Sequence, residues 1–230
     1  MHNVDFHRPK NAAELAEVLQ STGGRIVAGC TDVLPRAHRG RFPADCLVDI
    51  SRVKELRYIR EASDQIQIGA LATHADLANS ALLQEAAPAL VQAAATVGCP
   101  QTRNRGTLGG NLSNASPAAD SAPPLLVLDA RIQLVGSQSH RTMPLTDFFQ
   151  GPGQTALLSG EYVEGVSFER PFGRWGSSFL KLGKRTGMAI SIVSVAVLLA
   201  VAPDGSISTA RVAMGSVPLC RFAVRMPKRL

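Results

Sequence analysis

The apolar positions of this chain change period along its length, and each change marks an element. Leu15, Val18 and Leu19 recur at helical spacing behind Asn11, which reads as an N-cap with Glu14 as its reciprocal acid, and Gly23-Gly24 ends the pattern. Residues 25–28 then read as a strand that runs into the small-residue turn Gly29-Cys30-Thr31-Asp32. Taken alone, that turn is either an anion cradle or an ordinary connector. Residues 46–50 form a second apolar run with the character of a buried strand. Residues 58–60 and 65–70 read as a hairpin around Ala62-Ser63-Asp64. Thr73 and Asp76 look like the cap and first turn of a helix, and Leu82, Leu83, Ala86, Leu90 and Ala94 make a longer stripe over 81–97 that Pro88 should kink or divide.

Period two dominates further on. Pro123-Pro124 and the apolar residues behind them make a short helix or turn, and 131–135 and 141–145 alternate as strands. Gly151-Pro152-Gly153 marks a break. Residues 162–168 and 177–183 are further strands, and 189–202, read as buried, pairs with 206–214 across Pro203-Asp204-Gly205. Helices and hairpins mix without a regular βαβ alternation, which predicts an α+β fold.

Between these halves, residues 101–120 carry almost no large apolar side chain. Gly106, Gly109 and Gly110 permit close backbone approach, and Thr107, Asn111, Ser113, Asn114 and Ser116 supply small hydrogen-bonding groups. Arg103 and Arg105 precede them and Asp120 closes the interval. Structureless loops of this length are uncommon in compact domains unless they are functional or disordered, and this composition suits a phosphate or pyrophosphate cradle.

Composition narrows the class. With 230 residues and 45% hydrophobic content the chain can bury a core. Its formal charge of +6 falls to about +2 once Arg221, Arg225, Lys228 and Arg229 in the last ten residues are set aside, so nothing beyond the tail suits nucleic acid. Cys30, Cys46, Cys99 and Cys220 show no CxxC spacing and do not cluster with histidines, so no metal or iron–sulfur site is expected. No secretory h-region is visible at the N-terminus, and the longest apolar run is too short to span a bilayer. Dinucleotide GxGxxG, phosphate-loop, nucleophile-elbow and HExxH motifs are all absent. The pattern suits a chain that holds a cofactor which carries the chemistry, with no catalytic side chain of its own.

Six ordered blocks now matter together: Val27-Ala28-Gly29-Cys30-Thr31-Asp32, Leu47-Val48-Asp49-Ile50, Ile68-Gly69-Ala70, RNRGTLGGNLSNASPAAD at 103–120, PLTDFF at 144–149 and Lys181-Leu182-Gly183-Lys184-Arg185. In this order the chain resembles the FAD-binding medium subunit of molybdenum hydroxylases, the xanthine dehydrogenase and aerobic carbon monoxide dehydrogenase type. The resemblance implies a vanillyl-alcohol-oxidase-type α+β fold. Two FAD-binding subdomains, 1–57 and 58–170, would be followed by an incomplete C-terminal α+β domain at 171–230. It implies that Ile26, Val27, Ala28, Gly29, Cys30, Thr31, Asp32 and Val33, with Thr107, Leu108, Gly109, Gly110 and Asn111, wrap the FAD pyrophosphate through backbone N–H groups. Asp120 falls on a position that contacts the sugar or ribityl hydroxyls, and Val163 and Lys181 lie near the flavin.

The implied activity is electron transfer in a cytoplasmic complex. Electrons pass from a molybdopterin-binding large subunit through 2Fe-2S clusters on a small subunit to the flavin here, and on to NAD or another acceptor. Two positions depart from the family pattern. Cys30 stands where the family usually has glycine, which would cost about 1 kcal/mol if that residue has φ > 0. The basic end CRFAVRMPKRL replaces the expected continuation and reads as a truncation or frame change. The alternative is therefore a non-catalytic remnant that binds FAD weakly or serves assembly. A basic-tailed nucleic-acid or membrane binder is a more distant reading.

Overall fold

The computed structural model describes residues 4–38, 45–185, 187–216 and the backbone of 224–225. The side chains expected to make up the atypical basic tail, from Cys220 onward, lie outside the described residues.

The first part is a small βαβ layer. Strand β1 (Asp5–His7) leads to helix α1 (Ala12–Thr22), strand β2 (Arg25–Val27), helix α2 (Val33–His38) and strand β3 (Cys46–Asp49). The three strands are parallel in the order β1-β3-β2, so the expected lack of βαβ alternation does not hold here. Asn11 does cap α1, its Oδ1 accepting from the Glu14 N–H at 2.9 Å. The Glu14 carboxylate, however, accepts from the Lys10 N–H at 2.8 Å and not from the cap residue. Gly23 ends the helix in the left-handed region at φ 57°, where glycine carries no Cβ penalty. Leu15 and Leu19 pack with Val48, Ile50, Val53 and Leu56 in a small core, which Leu71 and Tyr162 join from the rest of the chain.

Next come β4 (Ile59–Ala62) and β5 (Gln65–Gly69), joined by the two-residue turn Ser63-Asp64 with both φ positive, the hairpin geometry that matches strand twist. Five short helices follow: α3 (His74–Asn79), α4 (Ala81–Ala86), α5 (Pro88–Thr96), α6 (Pro100–Arg105) and α7 (Leu108–Ser113). Pro88 divides the long apolar stripe as expected, with Ala87 between the two helices. The interval 101–120, expected to be a loop, is instead largely helical, because Pro100 starts α6 and the Thr107 hydroxyl caps α7.

The remaining elements are α8 (Ala122–Val127), β6 (Arg131–Val135), β7 (His140–Pro144), α9 (Leu145–Phe148), β8 (Phe149–Gly151), β9 (Gln154–Thr155), β10 (Tyr162–Glu169), β11 (Arg174–Gly183), β12 (Ser191–Val201), β13 (Ile207–Gly215) and β14 (Val224–Arg225). Strands β4-β5-β10-β6-β7 make an antiparallel sheet, β11-β12-β13-β14 a second, and β8-β9 a small hairpin. Helices α3, α4, α5, α7 and α8 bury residues in the core that the two larger sheets share. Helix α5 packs on β11, and the wholly buried α8 packs on β12 and β13. One core runs through all three layers, from Ile66 and Ile68 through Leu90, Leu112 and Leu125 to Phe179, Ala196 and Leu198.

The apolar run 189–202 is not buried throughout. Ser194, Ala196 and Leu198 face the helices, while Ile190 and Ile192 beside them are exposed, as are Leu180 and Leu182 on β11. Among the described residues no helix is long and apolar enough to cross a membrane.

Candidate functional site

The site is built where two backbone segments meet. A Cβ on Gly29 would lie 1.9 Å from the Arg105 carbonyl oxygen, so only glycine lets the turn after β2 rest against the end of α6. The contact is reinforced further along. The Arg36 guanidinium donates to Asn114 Oδ1 at 3.0 Å and pairs with Asp32 at 2.8 Å. That pairing offsets the charge of an acid at the cavity edge.

The second segment is sewn to the chain between β5 and α3. Thr73 and Thr107 form a bridge, the His74 N–H donates to the Gly106 carbonyl at 3.0 Å, and the Leu108 and Gly109 N–H groups donate to Ala72 O and Ala70 O at 2.8 and 2.9 Å. The Gly110 N–H donates to the Thr107 hydroxyl at 3.2 Å and the Asn111 N–H to the Thr107 carbonyl at 2.9 Å. Of the backbone donors expected of Thr107 to Asn111, those of Leu108 to Asn111 are thus already partnered within the fold, and that of Thr107 has no acceptor among the described residues. In the first segment the N–H groups of Gly29, Cys30, Thr31, Asp32 and Val33 have no acceptor among the described residues.

Between these walls lies a cavity of about 660 Å³, within the range of small-molecule and cofactor sites. Every expected residue lines it (Ile26, Val27, Ala28, Gly29, Cys30, Thr31, Asp32, Val33, Thr107, Gly109, Gly110, Asn111, Asp120, Val163 and Lys181) except Leu108. Leu108 points into the main core, because the first residue of α7 faces the sheet. The Asp120 carboxylate, 5% exposed, accepts from Lys181 Nζ at 2.6 Å through one oxygen and from the Ser191 hydroxyl through the other. Lys181 also donates to Thr96 O at 3.3 Å. The Asn111 Oδ1 accepts from the Ser121 hydroxyl at 2.6 Å, which directs its amide N–H₂ elsewhere.

Three groups not foreseen from the sequence complete the walls. Glu161 is held by Arg141 through bonds of 2.8 and 2.7 Å and by the Leu158 N–H at 2.9 Å. The Arg141 bonds outweigh the opposing effect of burial and hold its carboxyl at about 2. His74, 2% exposed, is pushed down to about 4, first by burial and then by Arg103. Met188, at φ 50°, donates its N–H to Gly98 O at 3.2 Å and brings the turn after β11 to the rim. Burial, then Asp49, raise the Cys30 thiol, with Arg105 opposing. Only Thr73-x-x-Asp76 signalled any of these, by marking the helix start that carries His74. Among the described residues no three His, Cys, Asp or Glu side chains converge as for a metal ion.

A family described as the FAD binding domain in molybdopterin dehydrogenase matches residues 2–170. The chain belongs to this FAD-binding family. It is 38% identical over 199 residues to the nicotinate dehydrogenase FAD-subunit of Eubacterium barkeri, covering 84% of this chain and 67% of that protein. It is 33% identical over 215 residues to the xanthine dehydrogenase FAD-binding subunit of Escherichia coli O157:H7, covering 92% and 73%. Among solved structures, carbon monoxide dehydrogenase from Hydrogenophaga pseudoflava lacking the Mo-pyranopterin moiety aligns with a TM-score of 0.88 at 30% identity, covering 97% of this chain and 77% of that one.

The chain is thus an FAD-binding subunit of the molybdenum hydroxylase family, and its cofactor is FAD. Its relatives are the flavin subunits of oxidoreductase complexes. In this FAD-binding subunit the condition for a cost at Cys30 is met: its φ is +59°, in the left-handed region that disfavours a side chain.

Proposed function

We propose that the cavity between the turn 28–33 and the segment 106–111 holds the FAD, and that the chain relays electrons from iron–sulfur clusters on a partner subunit to NAD or another acceptor. The observation that carries this reading is the run of five successive cavity-lining residues, Gly29 to Val33, whose backbone N–H groups have no acceptor among the described residues. Successive N–H donors form a concavity suited to a diphosphate, and the Thr31 hydroxyl and the Asn111 amide add donors at its edges. Leu108 to Asn111 then contribute shape and side chains, since their own N–H groups are occupied.

Bound FAD supplies a redox carrier that exchanges electrons one or two at a time. The chain's own residues bind and orient it. Ile26, Ile50 and Val163 offer apolar surface, and Asp120 presents a carboxylate to the sugar or ribityl hydroxyls while Lys181 and Ser191 fix its orientation. Arg141 and Glu161 hold the 156–161 segment as one wall, because Arg141 also donates to Ala156 O.

The partners in this reading are a molybdopterin-binding large subunit and a 2Fe-2S small subunit, in the cytoplasm. The parts 1–57 and 58–170 act as the two FAD-binding subdomains. The part 171–230 closes the site with Lys181 and Ser191, and its sheet shares the main core instead of standing alone. A purified chain that shows flavin absorption and takes up one equivalent of added FAD supports the reading. Failure to take up FAD at micromolar concentration counts against it and favours a remnant that serves only assembly.

A further inference from the structure

His74 is the one cavity-wall side chain, among the described residues, with a sealed and unpartnered ring nitrogen. Its Nδ1 is shut off from solvent and bonds to nothing, and Nε2 makes no hydrogen bond among the described residues either. Leaving a buried polar atom unpaired is costly, and such atoms in a folded protein call for a reason. The ring is itself buried, and the backbone that carries it is fixed. Its N–H is tied to Gly106 O, and the Thr73–Asp76 capping box fixes the start of α3. The ring's Cδ2 edge lies 3.1 Å from where a Cβ of Gly106 would stand, and Gly106 is itself part of the cavity wall. Nε2, equally unbonded, is not sealed from solvent, so it is the nitrogen on the cavity edge, while Nδ1 lies on the sealed side.

The tautomer follows. A sealed nitrogen without a partner is less costly as a bare lone pair than as an unsatisfied N–H donor, so the proton belongs on Nε2. We propose that His74 is a cofactor-positioning residue whose Nε2–H donates to an acceptor oxygen of FAD bound in the cavity, a role that rests on the placement of FAD given above. The depressed basicity of the ring, caused by burial and by Arg103, keeps it neutral at ordinary pH and so preserves this single-donor form. A neutral donor there fixes orientation without adding charge beside the flavin nucleotide.

The test uses the full chain labelled with ¹⁵N-histidine and uniformly with ¹⁵N. In the free protein, long-range proton–nitrogen correlation should show His74 Nε2 as the pyrrole-type nitrogen and Nδ1 as the pyridine-type nitrogen. Added FAD should shift Nε2 together with the amides of Cys30 and Thr107. By fluorescence titration, His74→Leu should raise the Kd for FAD about tenfold, the loss of one hydrogen bond. His74→Gln, whose Nε2 can take the same place, should restore most of it, whereas His74→Asn should not.

An Nδ1–H tautomer, or His74→Leu binding FAD as tightly as wild type while the Cys30 and Thr107 amides still shift, overturns the role of His74 and leaves the placement of FAD standing. If FAD binds without moving those amides, the placement itself fails and the role falls with it. Should His74→Leu not fold, the tautomer and shift in the wild-type chain decide.

Discussion

Replacing Gly110 should separate ligand approach from fold, because the glycines of the site are small for different reasons. A Cβ on Gly29 would meet the Arg105 carbonyl oxygen at 1.9 Å, and one on Gly109 would meet the Cβ of Ala70 at 2.6 Å and its backbone at 3.0 Å. Backbone cannot yield cheaply, so Gly109→Ala should lose about 1–3 kcal/mol to overpacking, and Gly29→Ala at least as much. A Cβ on Gly110 would meet only the Thr107 hydroxyl, at 2.9 Å, with nothing else within 4 Å. Displacing that hydroxyl weakens the cap of α7 by about 1 kcal/mol. The gain in helix propensity from glycine to alanine is about the same.

Gly110→Ala should therefore leave stability within about 0.5 kcal/mol of wild type, while its methyl stands on the cavity side of α7. Against a diphosphate seated at that surface, FAD affinity should fall at least tenfold, about 1.4 kcal/mol, and Gly110→Val should abolish retention. Urea unfolding gives the stability of all four variants, and flavin fluorescence titration gives the affinity. A Gly110→Val chain that keeps stoichiometric FAD at the wild-type Kd would refute the reasoning. So would a Gly110→Ala chain as destabilised as Gly109→Ala.

Arg141→Met should cost about 3 kcal/mol in urea unfolding, since it leaves the buried Glu161 carboxylate without its principal partner. With its folded pKa held at about 2 against an ordinary 4.5, Glu161 contributes stability that is complete above pH 4.5 and lost as pH falls through 2. Glu161→Gln should lack that acid slope, and an unchanged slope would refute the assignment. His74 acts in a higher window. Its folded value of about 4 lies below the ordinary 6.5, so between those values the unfolded chain binds the extra proton and stability rises with pH, by about 3 kcal/mol in all. Unfolding free energies of His74→Gln measured from pH 4 to 7 should be flatter by that amount. Cys30→Gly should stabilise by about 0.5–1 kcal/mol, the left-handed strain at φ 59° less the added freedom of the unfolded chain, again read from urea midpoints.

Local chemistry made much of the fold legible. The Thr73–Asp76 cap, the Ser63-Asp64 turn and the division at Pro88 are decided within a few residues, and each is where the sequence pattern puts it. What escaped depends on distant partners. Residues 101–120 carry no helical stripe, and α7 forms because Ala70 and Ala72 accept the N–H groups of its first two residues. The run 189–202 is apolar on both faces and so gives no sign that one of them is open.

The glycines carry the same lesson to the site. In sequence, Gly29, Gly106, Gly109 and Gly110 are equivalent marks of close approach. In space, the Arg105 carbonyl accounts for Gly29, the Thr102 carbonyl and the His74 ring for Gly106, and Ala70 for Gly109. Only Gly110 is left without a demand from the backbone packed around it, and that residue faces the cavity. A glycine-rich composition thus marked segments that line one cavity, but the packing of the fold already accounts for three of these four glycines. The donors are distributed differently too: among the described residues, the cavity-lining N–H groups without an acceptor include those of the turn from Gly29 to Val33, the weaker of the two cradles by composition alone, and that of Thr107 in the other.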